Sequence, residues 1–389
     1  MRIESIFLRN YRVFRDAELM DLPSMTTVVG ANGSGKSTLF DAMSFLKDAL
    51  TKNVAYAVAR RGGFRELVSR GAPGPISIIL HFCGSGFPEA YRVDIAHEND
   101  RPVVQRELLT VFERSRDEGP SSHFVEVSRG KGTAIVSDVW GGEERKDKVI
   151  DLEDPSALAI KGLGQFKEYR AAAGLSELLE SWHISDFHIQ DARPSAEAGY
   201  AEHLSARGDN LARVAQFLYE HHRDRFDRIL EVMRARVPGV TSVEAKPTVD
   251  GRLVLRFQDG SFKDPFIARH VSDGTIKMFA YLILLHDPKP HPVLAVEEPE
   301  NQLYPALLRE LAEEFRDYAR RGGQVFVSTH SPEFLNGVNL DEIYWLVKED
   351  GFATVRRASD SELLRNLYAE GDLSGALWKQ GLFEGSDPE

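Results

Sequence analysis

"SMTTVVGANGSGKSTLFDAMSFLKDAL", residues 24–50, is the stretch on which the fold turns. Thr26 to Val29 make a short β-branched run, and Gly30-Ala31-Asn32-Gly33-Ser34-Gly35-Lys36-Ser37 then satisfies the phosphate-loop pattern G-x-x-x-x-G-K-[ST]. Beyond it Leu39, Phe40, Ala42, Met43, Phe45 and Leu46 recur with helical spacing. The order is therefore strand, loop, helix. Gly30, Gly33 and Gly35 let backbone N–H groups turn toward phosphate oxygens, Asn32 and Ser34 complete the loop, and the helix start adds positive partial charge. Lys36 is expected to neutralise the β- and γ-phosphates of a nucleotide, and the Ser37 hydroxyl to coordinate Mg2+, with Thr38 as a supporting contact.

A phosphate loop of this kind needs a second, acidic site, and "HPVLAVEEPENQLYP" (291–305) supplies one. Val293 to Val296 read as a fully buried strand that ends in two carboxylates, at the strand end where ligands of a parallel sheet collect. Glu297 is expected near the metal and Glu298 as the general base that polarises water. The alternative is that Glu297, Glu298 and Glu300 open a solvent-facing helix, because acidic residues favour helix starts. In "GGQVFVSTHSPEFL" (322–335) the design repeats: Val325 to Val327 form a buried strand, and His330 follows where an imidazole can sense the γ-phosphate, with a satisfied surface histidine as the alternative. "HVSDGTIKMFAYLILL" (270–285) reads on its own terms as a capped helix start, with Ser272 and Asp273 satisfying free N–H groups and Gly274 permitting an unusual backbone angle.

Composition sets the outer limits. With 389 residues, 42% of them hydrophobic, the chain can bury a large core, and one cysteine, Cys83, excludes an internal disulfide framework and a multi-cysteine zinc site. The start "MRIESIFLRNYRVF" lacks a signal-peptide core and no apolar run reaches membrane-spanning length, so a cytoplasmic protein is expected. A net charge of -12 gives no overall attraction to nucleic acid, and any DNA contact would need a local patch. Lys52, Arg60, Arg61, Arg65 and Arg70 are the candidates, with an ordinary solvated face as the alternative.

The ordered set "LRNYRVF", phosphate loop, "VSDGT", "VEEPENQLYP" and "STHSPEFL" resembles the ABC-type P-loop ATPases of the RecF/SMC group. Within that group it is similar to the compact AAA-family ATPases related to the ATPase half of OLD (overcoming lysogenization defect) nucleases. The resemblance runs over nearly the whole chain. It implies that "VSDGT" is the signature motif, with the Ser272 hydroxyl and the Gly274 N–H contacting the γ-phosphate of ATP held by the other protomer of a homodimer. It implies further that Arg12 in "NYRVF", beside Asn10, approaches nucleotide, although a surface charge is an equal reading. Gln190, at the end of the strand-like run in "ISDFHIQDARP", matches a Q-loop glutamine that senses magnesium, or is an ordinary strand end. Asn301 falls in the D-loop region. Two departures stand out: Glu297 replaces the more usual aspartate, and Tyr304 stands where related sequences often place a histidine.

The fold expected is an α/β P-loop NTPase of ABC/SMC-head type, with a mixed central sheet, flanking helices, an antiparallel β subdomain and a short helical insertion. The expected division is residues 1–154 as an N-terminal ATPase lobe, 155–240 as a mainly helical insertion, and 241–389 as a C-terminal lobe. "GPISIILHF", "AYRVDIAH", "VVQRELLTVFE" and "HFVEVSRG" alternate apolar and polar residues as antiparallel strands do. "DNLARVAQFLYEHHRDRFDRILEVMRARV" carries one or two helices, on which the adjacent His221 and His222 cannot share a face to hold a metal. No sustained heptads indicate an SMC rod, and with only a short tail ending "GLFEGSDPE" no fused OLD nuclease domain is expected. The resemblance thus implies an ATP-engaged homodimer, or a higher oligomer built from it, that controls a separately encoded nuclease or toxin in antiphage defence. A RecF-like ATPase acting on duplex DNA in repair is the alternative.

Overall fold

The computed structural model describes residues 1–83, 88–111, 122–136, 146–197 and 199–385. The chain divides into two compact units: Met1–Trp182, Leu340–Glu370 and Gln380–Glu389 form the first, His183–Asn339 and Gly371–Lys379 the second. The fold is the expected mixed α/β P-loop class, with antiparallel and parallel sheet both present.

In the first unit an eight-stranded antiparallel sheet runs, in spatial order, through Phe14–Leu19, Arg2–Tyr11, Ile76–Cys83, Pro88–Glu98, Arg101–Val111, Ser122–Ser128, Lys131–Val136 and Lys146–Asp151. Strict alternation puts Ile76, Ile78, Leu80 and Phe82 on its buried face, and Tyr91, Val93 and Ile95 beside them. The four alternating segments of the sequence are four of these strands; Phe112 and Glu113 of the third, and Ser386–Glu389 of the tail, lie outside the described residues. Lys131–Val136 and Lys146–Asp151 extend the sheet beyond what alternation announced, because their sequences "KGTAIV" and "KDKVID" are half polar.

The strand Met25–Gly30 is buried at every position and pairs in parallel with Ile343–Glu349, Thr27 opposite Ile343. Ile343–Glu349 in turn pairs antiparallel with Phe352–Arg357. The helix Lys36–Thr51 follows the phosphate loop, and all six residues that marked its apolar stripe are buried. One buried carboxylate fastens a further helix to the sheet. Glu107, inaccessible to solvent, accepts the N–H groups of Ala159 (2.6 Å) and Ile160 (3.1 Å) at the start of the helix Ala159–Leu163, and the Tyr91 hydroxyl (3.1 Å). Burial pushes its carboxyl up to about 7, against the pull of those three donors.

The second unit is built on three parallel strands, with Val293–Glu297 between His183–Ser185 and Gln324–Ser328. Val293 to Val296 and Val325 to Val327 are fully buried, as parallel strands covered on both faces must be. A small antiparallel sheet, in which Arg252–Asp259 pairs with Ala196–Glu197, Val240–Pro247 and Phe266–Ile267, lies in the same unit. The unit's longer helices are Leu211–His221, Arg223–Arg236, Asp273–Leu285 and Leu308–Arg320. The expected helical region is thus divided: its segment up to Trp182 belongs to the first unit, and the rest, which includes short strands, to the second. The strand expected to end at Gln190 ends instead at Ser185, and Gln190 lies in a four-residue helix, Ile189–Ala192.

Candidate nucleotide-binding and catalytic residues

The phosphate loop has the backbone its glycines predicted. Gly30, Gly33 and Gly35 have φ of 155°, 76° and 113°, and no side chain caps the helix that starts at Lys36. A Cβ on Gly30 would lie 2.5 Å from Ser34 Oγ and 2.9 Å from the Leu346 carbonyl, and one on Gly35 would lie 2.9 Å from Val13 Cγ2. Those two positions exclude any side chain on both conformational and steric grounds. The Lys36 ammonium is folded onto the loop, donating to the carbonyls of Gly30 (2.7 Å) and Ala31 (3.0 Å). Ser34 Oγ is buried with no hydrogen-bond partner, an unusual state for a hydroxyl. Ser37 and Asn32 are exposed, and Thr38 is half-buried.

Around the first strand, Arg12 has φ 48° and its guanidinium reaches Asp41 at 3.1 Å on the loop-following helix. Arg61 binds the same carboxylate at 2.6 Å and Asp48 at 2.9 Å, with only 6% of its side chain exposed. Tyr11 donates to Asp41 as well (2.6 Å), and burial, reinforced by that carboxylate, raises its hydroxyl well above the usual tyrosine range. Asn10 is structural: its amide donates to the carbonyls of Pro73, Gly74 and Pro75. The candidate basic patch is consequently largely neutralised within the fold, since Arg60 pairs with Asp48 and Arg70 with Glu66 while Arg61 is buried.

The second unit brings Glu298, Asn301 and His330 together. Glu298 follows the strand Val293–Glu297 with φ 44°, a left-handed conformation that costs a non-glycine residue of order 1 kcal/mol and persists where surrounding contacts fix it. Its N–H donates to the Ser328 carbonyl (2.9 Å), its Oε2 accepts Asn301 Nδ2 (2.9 Å), and its Oε1 lies 3.3 Å from His330 Nε2. Glu300 acts behind this pair. One of its oxygens accepts both the Thr329 hydroxyl (2.8 Å) and the His330 N–H (2.6 Å), so the strand-end segment bearing the histidine is held by a carboxylate that sequence reading assigned no role. Glu297 is half-buried and closes the parallel register opposite Ser328.

Ser272 caps the helix Asp273–Leu285, accepting the Thr275 N–H at 3.2 Å. Gly274 sits where a Cβ would lie 2.8 Å from the Gln302 carbonyl, so the helix start packs directly on the turn after Glu298. Lys277, one turn further, donates to the Asn301 carbonyl (2.7 Å), and burial lowers its ammonium to about 8 despite the opposing pull of Glu300 and Glu298. Arg193 arranges the approach to the cap: it donates to the carbonyls of Ala268 (3.0 Å), Arg269 (2.9 Å) and Val271 (2.9 Å) and pairs with Asp273. Gln190, three residues before it, is exposed and takes no part in this cluster. Lys277 and Arg193 went unnoticed in the sequence because each resembles a surface charge; the only signal was that Lys277 interrupts an otherwise apolar helix.

The family described as "AAA domain, putative AbiEii toxin, Type IV TA system" matches residues 25–336. No curated protein matches the sequence. Among solved structures, an Smc head bound to the C-terminal winged-helix domain of ScpA aligns at 16% identity and TM-score 0.54, over 92% of this chain and 98% of that one. An Smc head with an extended coiled coil, bound to the C-terminal domain of ScpA derived from Pyrococcus furiosus, aligns at 15% identity and TM-score 0.50, over 95% and 100%. At such identities the likeness is one of fold.

Proposed function

The chain belongs to the AAA-domain family whose sequence model spans residues 25–336, as a P-loop ATPase with the SMC-head fold, and from that premise we propose that it hydrolyses ATP with Glu298 as general base. The observation that carries this reading is the Glu298 backbone at φ 44°, which coincides with a carboxylate held from both sides by Asn301 and His330. Strain of this kind marks sites where position matters more than stability. In the proposed roles, the loop N–H groups and Lys36 bind the phosphates, and Glu298 takes a proton from the attacking water, while His330 reports the γ-phosphate through its contact with Glu298. Ser37 and Glu297 offer a hydroxyl and a carboxylate, the hard oxygen donors that suit magnesium, and would hold it; the ion supplies charge neutralisation on the phosphates. Arg12, fixed on Asp41, supports the loop in this reading, and Gln190 is retained only as a candidate sensor of magnesium.

Ser272 and Gly274 present a helix N-terminus suited to an anion, and we assign them to ATP held by a second copy of the chain. Nucleotide would then favour the engaged homodimer by its greater affinity for that state. The proposed output is control of a separately encoded effector, a nuclease or toxin of an antiphage system, and the family's description as a toxin–antitoxin component supports that direction. A DNA-repair role is less favoured because three of the four arginines of the candidate patch, Arg60, Arg61 and Arg70, are paired within the chain.

The test is Glu298→Gln. Turnover should fall by about 10²- to 10⁴-fold, the usual contribution of a positioned base, with ATP affinity retained. Lys36→Ala should instead weaken ATP binding itself, read by equilibrium titration. A Glu298→Gln protein that turns over normally overturns the assignment.

A further inference from the structure

A cluster of potential metal ligands lies in the second unit, where His203, in the segment before the helix Leu211–His221, meets the loop between the helix Asp273–Leu285 and the strand Val293–Glu297. His203, Asp287 and His291 each place one donor atom so that all three lie within 4.8 Å of one another. His203 Nδ1 is 2.7 Å from Asp287 Oδ2, and the rings of His203 and His291 have centroids 5.3 Å apart. The Asp287 carboxylate is only 3% exposed, a place where an acid needs a cationic partner. We propose that these three residues bind one divalent transition-metal ion of the zinc class.

Four features support the assignment. The donors are two imidazoles and a carboxylate, a set that suits Zn2+ and its neighbours and not the all-oxygen preference of Mg2+. Bonds of about 2 Å to a common ion would set the donors roughly 3.3 Å apart, so closure from the present spacing needs only small side-chain rotations. The scaffold is stiff. In "HDPKPHP" (286–292) the donors Asp287 and His291 flank Pro288-Lys289-Pro290, and Pro292 follows, each proline fixing its own φ. Finally, the residues are held from behind: the second oxygen of Asp287 accepts the Lys289 N–H (2.8 Å), the His291 carbonyl accepts the Tyr318 hydroxyl (3.1 Å), and the His203 carbonyl accepts Asn210 Nδ2 (2.9 Å). Such supporting contacts orient ligands in built metal sites.

His203 and Asp287 also line a cavity of about 430 Å³, which gives an ion a route in and leaves room for a water to complete its coordination. The ion would join the segment around residue 203 to the loop that connects the Ser272-capped helix with the strand leading to Glu298. It is distinct from any ion at Ser37 and Glu297, and its existence does not depend on the ATPase reading.

The experiment uses the full chain, free of any histidine tag and stripped with a chelator, titrated with Co2+ followed by visible d–d absorption and then with competing Zn2+. One equivalent per chain should bind, Zn2+ should displace it, and Zn2+ should raise the melting temperature. Lys36→Ala should bind identically, which separates this site from the nucleotide. His291→Ala should weaken binding by tenfold or more, as should His203→Gln at a 40% exposed side chain whose replacement leaves the fold intact by circular dichroism. Absence of saturable binding, or equal affinity in folded His203→Gln, overturns the proposal.

Discussion

At the scale of single residues, the candidate catalytic group is defined less by its own chemistry than by what surrounds it. Glu298 is one of several carboxylates in "EEPE", yet only it combines a left-handed backbone with side-chain partners on both oxygens. Lys277 stabilises the turn that carries one of those partners. Its contact with the Asn301 carbonyl is charge-assisted only while the ammonium keeps its proton, and burial brings that proton's loss down to about 8. Raising pH from 7 to 9 should therefore reduce the part of turnover that depends on this link. In Lys277→Met we expect turnover several-fold lower at pH 7 and no such decline between pH 7 and 9, with steady-state ATP hydrolysis as the readout. An unchanged decline in that variant would place the titrating group elsewhere. The phosphate-loop residues were legible from sequence because positive φ leaves few choices besides glycine, and the pattern states that requirement directly. The strand-end positions of Glu298 and His330 were legible because each follows a bare apolar strand. Glu300, Lys277 and Arg193 were not, since a charge that bonds to backbone carbonyls or N–H groups looks, in one dimension, like a charge facing water.

At the scale of elements, the attachment of the helix Ala159–Leu163 rests on an acid buried within the sheet. Glu107 holds its proton in the folded protein up to about pH 7, whereas an unfolded glutamate releases it near 4.5. The folded state thus binds more protons across that window, and stability must fall as pH rises through it, reaching its lower plateau above pH 7. The full effect is on the order of 3 to 4 kcal/mol at most, because each tenfold difference in proton affinity between the folded and unfolded chain is worth roughly 1.4 kcal/mol. Glu107→Gln, which cannot ionise, should flatten the dependence of melting temperature on pH between 4.5 and 7, followed by calorimetry; an unaltered slope would mean that other groups set it. Element type was readable wherever periodicity was strong, as in the helix Lys36–Thr51 and the strand Ile76–Cys83. It was misread at Gln190, where a strand-like run hid the change from a three-residue strand to a short helix. The strands Lys131–Val136 and Lys146–Asp151 were missed because their exposed faces are charged. Nor does any local spacing unite His203 with Asp287 and His291, which meet only after the intervening helices have folded.

At the scale of the molecule, the proposed engagement of two copies makes activity a property of protein concentration. Turnover per chain should rise with concentration and then saturate, and Ser272→Ala combined with catalytically intact partner chains should reveal whether the signature residues act across copies. Duplex DNA should leave turnover unchanged, given a net charge of -12 and the internal pairing of Arg60, Arg61 and Arg70. Strong stimulation by DNA, abolished at high salt, would instead favour the repair reading. Among the described residues no helix is long and apolar enough to cross a membrane. The strand that carries the phosphate loop, Met25–Gly30, takes Ile343–Glu349 as its parallel neighbour. A ribosome therefore produces the loop well before its neighbour, with most of the second unit, His183–Asn339, between them. A nascent chain cannot complete its nucleotide cradle until Ile343–Glu349 has emerged, so products terminated before that strand are expected to be inert rather than unregulated.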